Sequence, residues 1–205
     1  MHSLRTTLGA LLFATLLGCP GGGGGAGGGG GLASPEEVGA AFQAAVQAGD
    51  WGTCYDLVVP AERETMVIKR LGRVVRAAQR AKEASKPLYV AFLDDLGIDP
   101  DATPGAEGDS LAKRQALALE AYKSGIDGDY RGTWVELLQL LEQVAEAEGS
   151  TSPRVKLSPG TLGEVTLKGD EANGRTTNAM GAGERSAWVL AFRKVDGLWY
   201  LRARE

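Results

Sequence analysis

Histidine is almost missing from this chain: its one copy is His2. If the amino-terminal segment is removed, as argued below, the remainder has none. That excludes Ser-His-Asp and Cys-His nucleophile systems, histidine-ligated metals and imidazole acid–base chemistry. Cysteine is nearly as scarce, with Cys19 and Cys54 alone. If Cys19 is modified, no partner remains for Cys54, and no intramolecular disulfide forms even in an oxidising compartment. There is no excess of positive charge either. Lys and Arg number 22 against 26 Asp and Glu, a net charge of −4, which argues against a general nucleic-acid binder. No apolar run reaches the roughly 20 residues of a membrane-spanning helix. The long glycine run follows no strand and carries no Lys-Ser/Thr, so it is not a phosphate loop.

The amino terminus has the three parts of an export signal. Arg5 supplies charge, Leu8 to Leu17 is almost wholly apolar, and Gly18 is a small residue at the end. The sequence Leu16-Leu17-Gly18-Cys19 resembles the bacterial lipobox. That resemblance implies cleavage before Cys19 and acylation of its thiol, with Leu17 standing where a smaller residue is more usual. It further implies an exported protein held to the membrane of the cell envelope by its lipid. Pro20, in place of the aspartate associated with inner-membrane retention, points to the outer membrane if the host has one. Two or three acyl chains, at about 0.8 kcal/mol per buried methylene, anchor durably where one does not. The chain after the cut loses only Arg5 and carries 21 basic and 26 acidic residues, a net −5. Gly21 to Gly31 is glycine apart from Ala26. The expectation is therefore a signal peptide over 1–18, a lipidated cysteine and flexible linker over 19–33, and one domain over 34–205. The glycine run reaches roughly 20 Å as a random coil.

The domain changes grammar along its length. Ser34-Pro35-Glu36-Glu37 reads as a capping box with proline at the first helical position. Val38, Ala41, Phe42, Ala45 and Val46 then follow helical spacing up to Gly49-Asp50. Asp50 caps a short helix through Trp51, Tyr55 and Val58, which Pro60 closes. The next helix is expected from Ala61 to about Ser85, with Val67, Leu71, Val74, Ala78 and Ala81 on one side. Lys69, Arg73, Arg76 and Arg80 lie on the other, as a docking face for anionic lipid, a polyanion or an envelope protein, or simply as a solvated surface. Further helices are expected over Leu88–Leu96, around Leu111 to Tyr122, and around Trp134 to Ala145. The last has an acidic outer face that includes Glu136, Glu142 and Glu146. The Asp-, Pro- and Gly-rich stretch from Asp99 to Asp109 is a loop.

From Pro153 the spacing turns to two. Strands are expected over Glu164–Lys168, Arg175–Met180, Ser186–Val195 and Leu198–Arg204, the last pair joined by the hairpin signal Asp196-Gly197. Trp188, Leu190 and Phe192 share one face with Trp199, Leu201 and Ala203. Helices over 34–149 followed by strands over 153–205 predict an α+β domain, with helices packed on an antiparallel meander.

Two stretches are similar to the nuclear transport factor 2 family. The first runs from Ser34 through Phe42 and on through Ala48-Gly49-Asp50-Trp51 to Leu57. The second is Trp188 to Val195, Asp196-Gly197 and Leu198-Trp199-Tyr200-Leu201. The resemblance implies a curved sheet wrapped around helices as a cone with a pocket, and here a long helical insertion over 61–149. Trp51, Tyr55, Trp188 and Trp199 are the candidate pocket residues. Some members are isomerases, dehydratases or hydrolases, for which Tyr55, Asp56, Tyr122 and Tyr200 are the available groups. Nothing in their spacing brings them together.

Other chemistry is weaker still. Asp127, Asp129 and Gly132 match part of a calcium loop, but Arg131 and Leu138 stand where ligands belong. In Asp99-Pro100-Asp101 with Thr103, Pro104 replaces the glycine and Ser110 the closing glutamate. Cys54, among Trp51, Tyr55, Leu57 and Val58, reads as a small buried hydrophobe rather than a reactive thiol. The expectation is a lipid-anchored binding protein for a small apolar ligand, with no cofactor, metal or catalytic residue. A structural or protein-docking lipoprotein is the alternative, and an enzyme of the cone fold the third reading.

Overall fold

The computed structural model describes residues 30–102, 105, 110–153, 160–177 and 189–203. Cys19, Trp188, Thr103, Pro104, the signal segment and the outer ends of the second, third and fourth expected strands lie outside them. The described residues form an α+β fold of six helices followed by a four-stranded antiparallel sheet.

Helix α1 (Pro35–Ala48) begins as its sequence dictates. The Ser34 hydroxyl accepts from the Glu37 amide at 3.2 Å, and the Glu37 carboxylate reaches back to the Ala33 amide at 3.0 Å. Helix α2 (Trp51–Asp56) is capped by Asp50, whose two carboxylate oxygens accept from the Thr53 amide at 3.0 Å and the Thr53 hydroxyl at 2.6 Å. Pro60 does not close this helix but opens the next, α3 (Pro60–Ala78). At the first helical position the missing N–H is not needed and the fixed φ suits the turn.

Helix α3 stops at Ala78, short of the expected Ser85, so Arg80 and Ala81 sit in the following turn. No residue there is a helix breaker. The turn is made by α4 (Lys86–Asp95) folding back against α3 and α6. Helix α5 (Leu111–Ile126) buries only Ile126, and Leu111, Leu117 and Leu119 are exposed. Of the residues whose spacing marked this helix, Leu111 and Leu119 thus lie outside the core, while Tyr122 packs against it. Helix α6 (Tyr130–Ala147) buries Leu137, Leu138, Leu140 and Val144.

The sheet is a meander of β1 (Thr161–Lys168), β2 (Glu171–Thr177), β3 (Val189–Val195) and β4 (Leu198–Leu201) in that order. Asp196 and Gly197 both have positive φ, 50° and 86°, the geometry a tight hairpin needs to follow the strand twist. A bulge between Leu162 and Val165 interrupts the β1–β2 ladder and bends that edge.

The hydrophobic interior has two parts. Trp51, Leu71, Leu93, Leu137 and Leu138 anchor the helical part. Phe192, Leu190, Leu201, Ala172 and Trp199 form the second, between the sheet and Val38 of α1. Helix α1 is the one that crosses the sheet, against β1 and β4, while α2 to α6 pack mainly on each other. Phe42 touches both cores.

The free edge of β4 is covered from two sides. Leu32 pairs with Trp199 through hydrogen bonds of 3.0 and 2.8 Å, and Leu57 to Val59 pair with Leu201 through two of 2.8 Å. The fold therefore takes in residues 30–32, which the composition assigned to the linker. A side chain on Gly31 would run into the Tyr200 ring, and one on Gly30 into the Asp56 backbone. At these two positions glycine permits close approach rather than flexibility.

Candidate functional site

Where the helical bundle meets the ends of β3 and β4, a cavity of about 510 Å³ remains. That lies within the range of small-molecule sites, roughly 300–1,000 Å³. Its apolar wall comes from pairs of residues three or four apart on three helices: Phe42 and Val46 on α1, Trp51 and Cys54 on α2, Trp134 and Leu138 on α6. Such pairs share one helix face, which is why each helix contributes two. Leu190 and Leu201 close the sheet side.

The polar wall is one face of α3. Glu62, Met66, Lys69, Arg70 and Arg73 follow steps of four, three, one and three, and all line the cavity. The adjacent face, with Val67, Leu71, Val74 and Ala78, is in the core. Glu62 is already engaged. One of its oxygens accepts from Arg202 Nε at 3.2 Å, and the other from the Ala203 amide at 2.7 Å. Arg70 is half-buried, and among the described residues neither it nor Arg73 has a carboxylate partner. Burial, with Arg73 beside it, lowers the pKa of the Arg70 guanidinium below its ordinary value. Counting Lys69, Arg70, Arg73 and Arg202 against Glu62, the described lining residues carry +3 on a chain whose total is −4.

Two further donors are left over. Trp51 Nε1 and Trp134 Nε1 are buried and, among the described residues, donate to no acceptor. A buried donor without a partner costs about 1–3 kcal/mol. Both indoles belong to residues that line the cavity. Cys54 is 2% exposed, and burial pushes its thiol up to about 12. It is a wall residue and not a nucleophile.

Of the expected pocket residues, Trp51 lines this cavity. Tyr55 instead packs in the helical core, with the Arg63 guanidinium 5.4 Å from its ring. Trp199 lies in the core between α1 and the sheet, with Lys194 Nζ 5.9 Å from its ring. Trp188 is outside the described residues. The expected docking residues also part company. Lys69 and Arg73 line the cavity, Arg76 lies beside Tyr122 outside it, and Arg80 is exposed beyond the end of α3.

Nor do Tyr55, Asp56, Tyr122 and Tyr200 form a set. Asp56 accepts from Arg131 through Nε at 3.1 Å and Nη2 at 2.9 Å. Tyr122 packs on the helical core from α5, and Tyr200 is buried in β4 against Gly31. The aspartates of the two calcium-like stretches serve turns and caps. Asp127 ends α5 at φ 48°, Asp129 caps α6 by accepting from the Gly132 amide at 2.7 Å, and Asp99 accepts from the Asp101 amide at 2.8 Å. Among the described residues, no three acidic, histidine or cysteine side chains cluster as a metal site.

Sequence reasoning missed Arg70, Met66 and Trp134. A signal for Arg70 was present: it lies one helical turn from Met66 and from Arg73, between the apolar stripe and the basic one. No protein-family model matches the chain, and no match was found among curated proteins or among solved structures.

Proposed function

We propose that this chain is an exported lipoprotein, acylated on Cys19 and held at the envelope, on the outer membrane if the host has one. Its domain is a cone of the nuclear transport factor 2 type that binds a small, largely apolar ligand without transforming it. The cavity carries this reading: about 510 Å³, walled by Phe42, Val46, Trp134, Leu138, Leu190 and Leu201. The bulged, meandering sheet with α1 across it is compatible with a cone, and α3 to α6 with the helical insertion. The absence of turnover is argued from the described lining residues. Burial favours the protonated form of Cys54, and Glu62 is tied to Arg202 and Ala203, so neither of these two groups is placed as nucleophile or general base.

The test is saturable binding of a neutral apolar fluorophore, N-phenyl-1-naphthylamine. The wild-type protein takes it up with a blue shift and one-to-one stoichiometry. Thr65→Trp, at an exposed position of α3 on the cavity wall, abolishes uptake while the circular dichroism spectrum is unchanged. Non-saturable binding, or equal binding by the variant, removes the reading.

A docking role has one observation in its favour: Arg76 and Arg80 are exposed and take no part in the cavity. Loss of a co-purifying envelope protein on changing both to glutamate supports that role, and unchanged co-purification counts against it.

A further inference from the structure

We infer that the ligand is a single-chain amphiphile with an anionic head, a carboxylate or a phosphate, held by Arg70 and Arg73 with its apolar body against the α1, α6 and sheet walls. This rests on the reading of the cavity as a binding site and goes beyond it by assigning the head group.

The argument is one of unmatched charge. A half-buried guanidinium is ordinarily paired, because removing it from water without a counter-charge is costly. Here the one carboxylate on the lining among the described residues, Glu62, is taken up by Arg202 and the Ala203 amide. Arg70, half-buried, and Arg73, exposed, stand one turn apart on α3, both on the cavity wall, with no carboxylate partner among the described residues. Two guanidiniums so close repel each other, and the arrangement is relieved by an anion between them. Guanidinium groups present forked donors that suit carboxylate and phosphate oxygens.

A second observation is independent of the arginines: the wall opposite α3 is apolar, with Phe42, Val46, Leu138 and Leu190. A fully polar anion such as inorganic phosphate leaves that wall without a partner. An amphiphile matches both sides.

The experiment compares four dodecyl ligands below their micelle concentrations, by quenching of intrinsic tryptophan fluorescence in the full chain. They are laurate, dodecyl phosphate, dodecanol and dodecyltrimethylammonium. The two anions are expected to bind about tenfold or more tighter than the alcohol, and the cation weakest of all. The tighter of the two anions distinguishes a fatty acid from a phosphate-headed lipid. Arg70→Met brings the anions down to the level of dodecanol, while Arg70→Lys keeps part of the preference.

Equal affinity for all four ligands overturns the head-group assignment and leaves the apolar-cavity reading standing. Binding of none overturns both. A preference that survives intact in Arg70→Met overturns the role of Arg70. The head-group ranking is measured on the wild-type chain, so it decides the matter even if the methionine variant does not fold.

Discussion

The most exposed consequence of the site's chemistry concerns Cys54. Its thiol is 2% exposed and raised from 9.0 to about 12 by burial, with Asp50 adding to the shift. Only the thiolate attacks a disulfide reagent. At pH 8 an ordinary thiol is roughly one-tenth ionised, whereas Cys54 is ionised to roughly one part in ten thousand. Its reaction with Ellman's reagent is therefore slowed about a thousandfold on electrostatic grounds alone, and further by steric exclusion. The assay uses Cys19→Ser, so that Cys54 is the sole thiol, with and without guanidinium chloride. Denatured protein releases one equivalent of thionitrobenzoate within the mixing period, and folded protein releases none on that scale.

The same shift has a signed effect on stability. The unfolded thiol loses its proton above about pH 9 and the folded one does not, so the unfolded state holds fewer protons and stability falls as pH rises from about 9 towards 12. At the upper end the loss is on the order of 4 kcal/mol, and it is absent in Cys54→Ala. Full labelling of the folded protein at the denatured rate refutes the burial of this wall of the cavity.

Three other perturbations test the frame around the site. Phe192→Ala empties a fully buried position between sheet and α1 and is expected to cost about 3–5 kcal/mol in urea unfolding. Asp50→Ala removes the cap of α2, with an expected loss of about 1 kcal/mol. Because hydrogen bonds from Thr53 lower the Asp50 carboxyl below 3.8, its contribution is complete above that pH and disappears as pH falls below it. The difference between Asp50→Ala and wild type should accordingly shrink between pH 5 and pH 2 in urea midpoints. Gly31→Ala places a methyl group against the Tyr200 ring and is expected to detach residues 30–32 from β4. Faster hydrogen exchange at Leu32 and Trp199, with little change in α3, is the readout.

Much of the frame was legible because it rests on local chemistry. Ser34, Asp50 and Asp129 cap helices through their own side chains, and Asp196-Gly197 supplies the positive φ that its turn requires. The alternation at Leu190, Phe192, Trp199 and Leu201 fixed which face of the last hairpin is buried. What failed depended on contacts far away in sequence. Nothing local ends α3 at Ala78, and nothing in the spacing of Leu111, Leu117 and Leu119 says that α5 leaves them exposed. Gly30 and Gly31 have the composition of a linker, yet they pack because β4 offers an edge and Asp56 and Tyr200 leave no room for a side chain.

The site was read only in part for the same reason. Aromatic residues on amphipathic elements are the natural candidates for a pocket, but period alone does not tell a pocket wall from a core. Trp51 lines the cavity, whereas Tyr55 and Trp199 became core. Arg70 passed unnoticed because a single arginine beside a core stripe is ordinary until its neighbours show that no carboxylate meets it.

Native mass spectrometry tests most directly whether the cavity is occupied in the living cell. The full-length protein is extracted from its host in a nonionic detergent, released from it in the instrument, and compared with Thr65→Trp prepared in the same way. The expected result is a reproducible non-covalent mass on the wild-type protein, beyond the chain and any covalent modification, that fragments as an anionic amphiphile and is missing from the variant. A wild-type protein that arrives bare, or that carries the same extra mass as the variant, contradicts it.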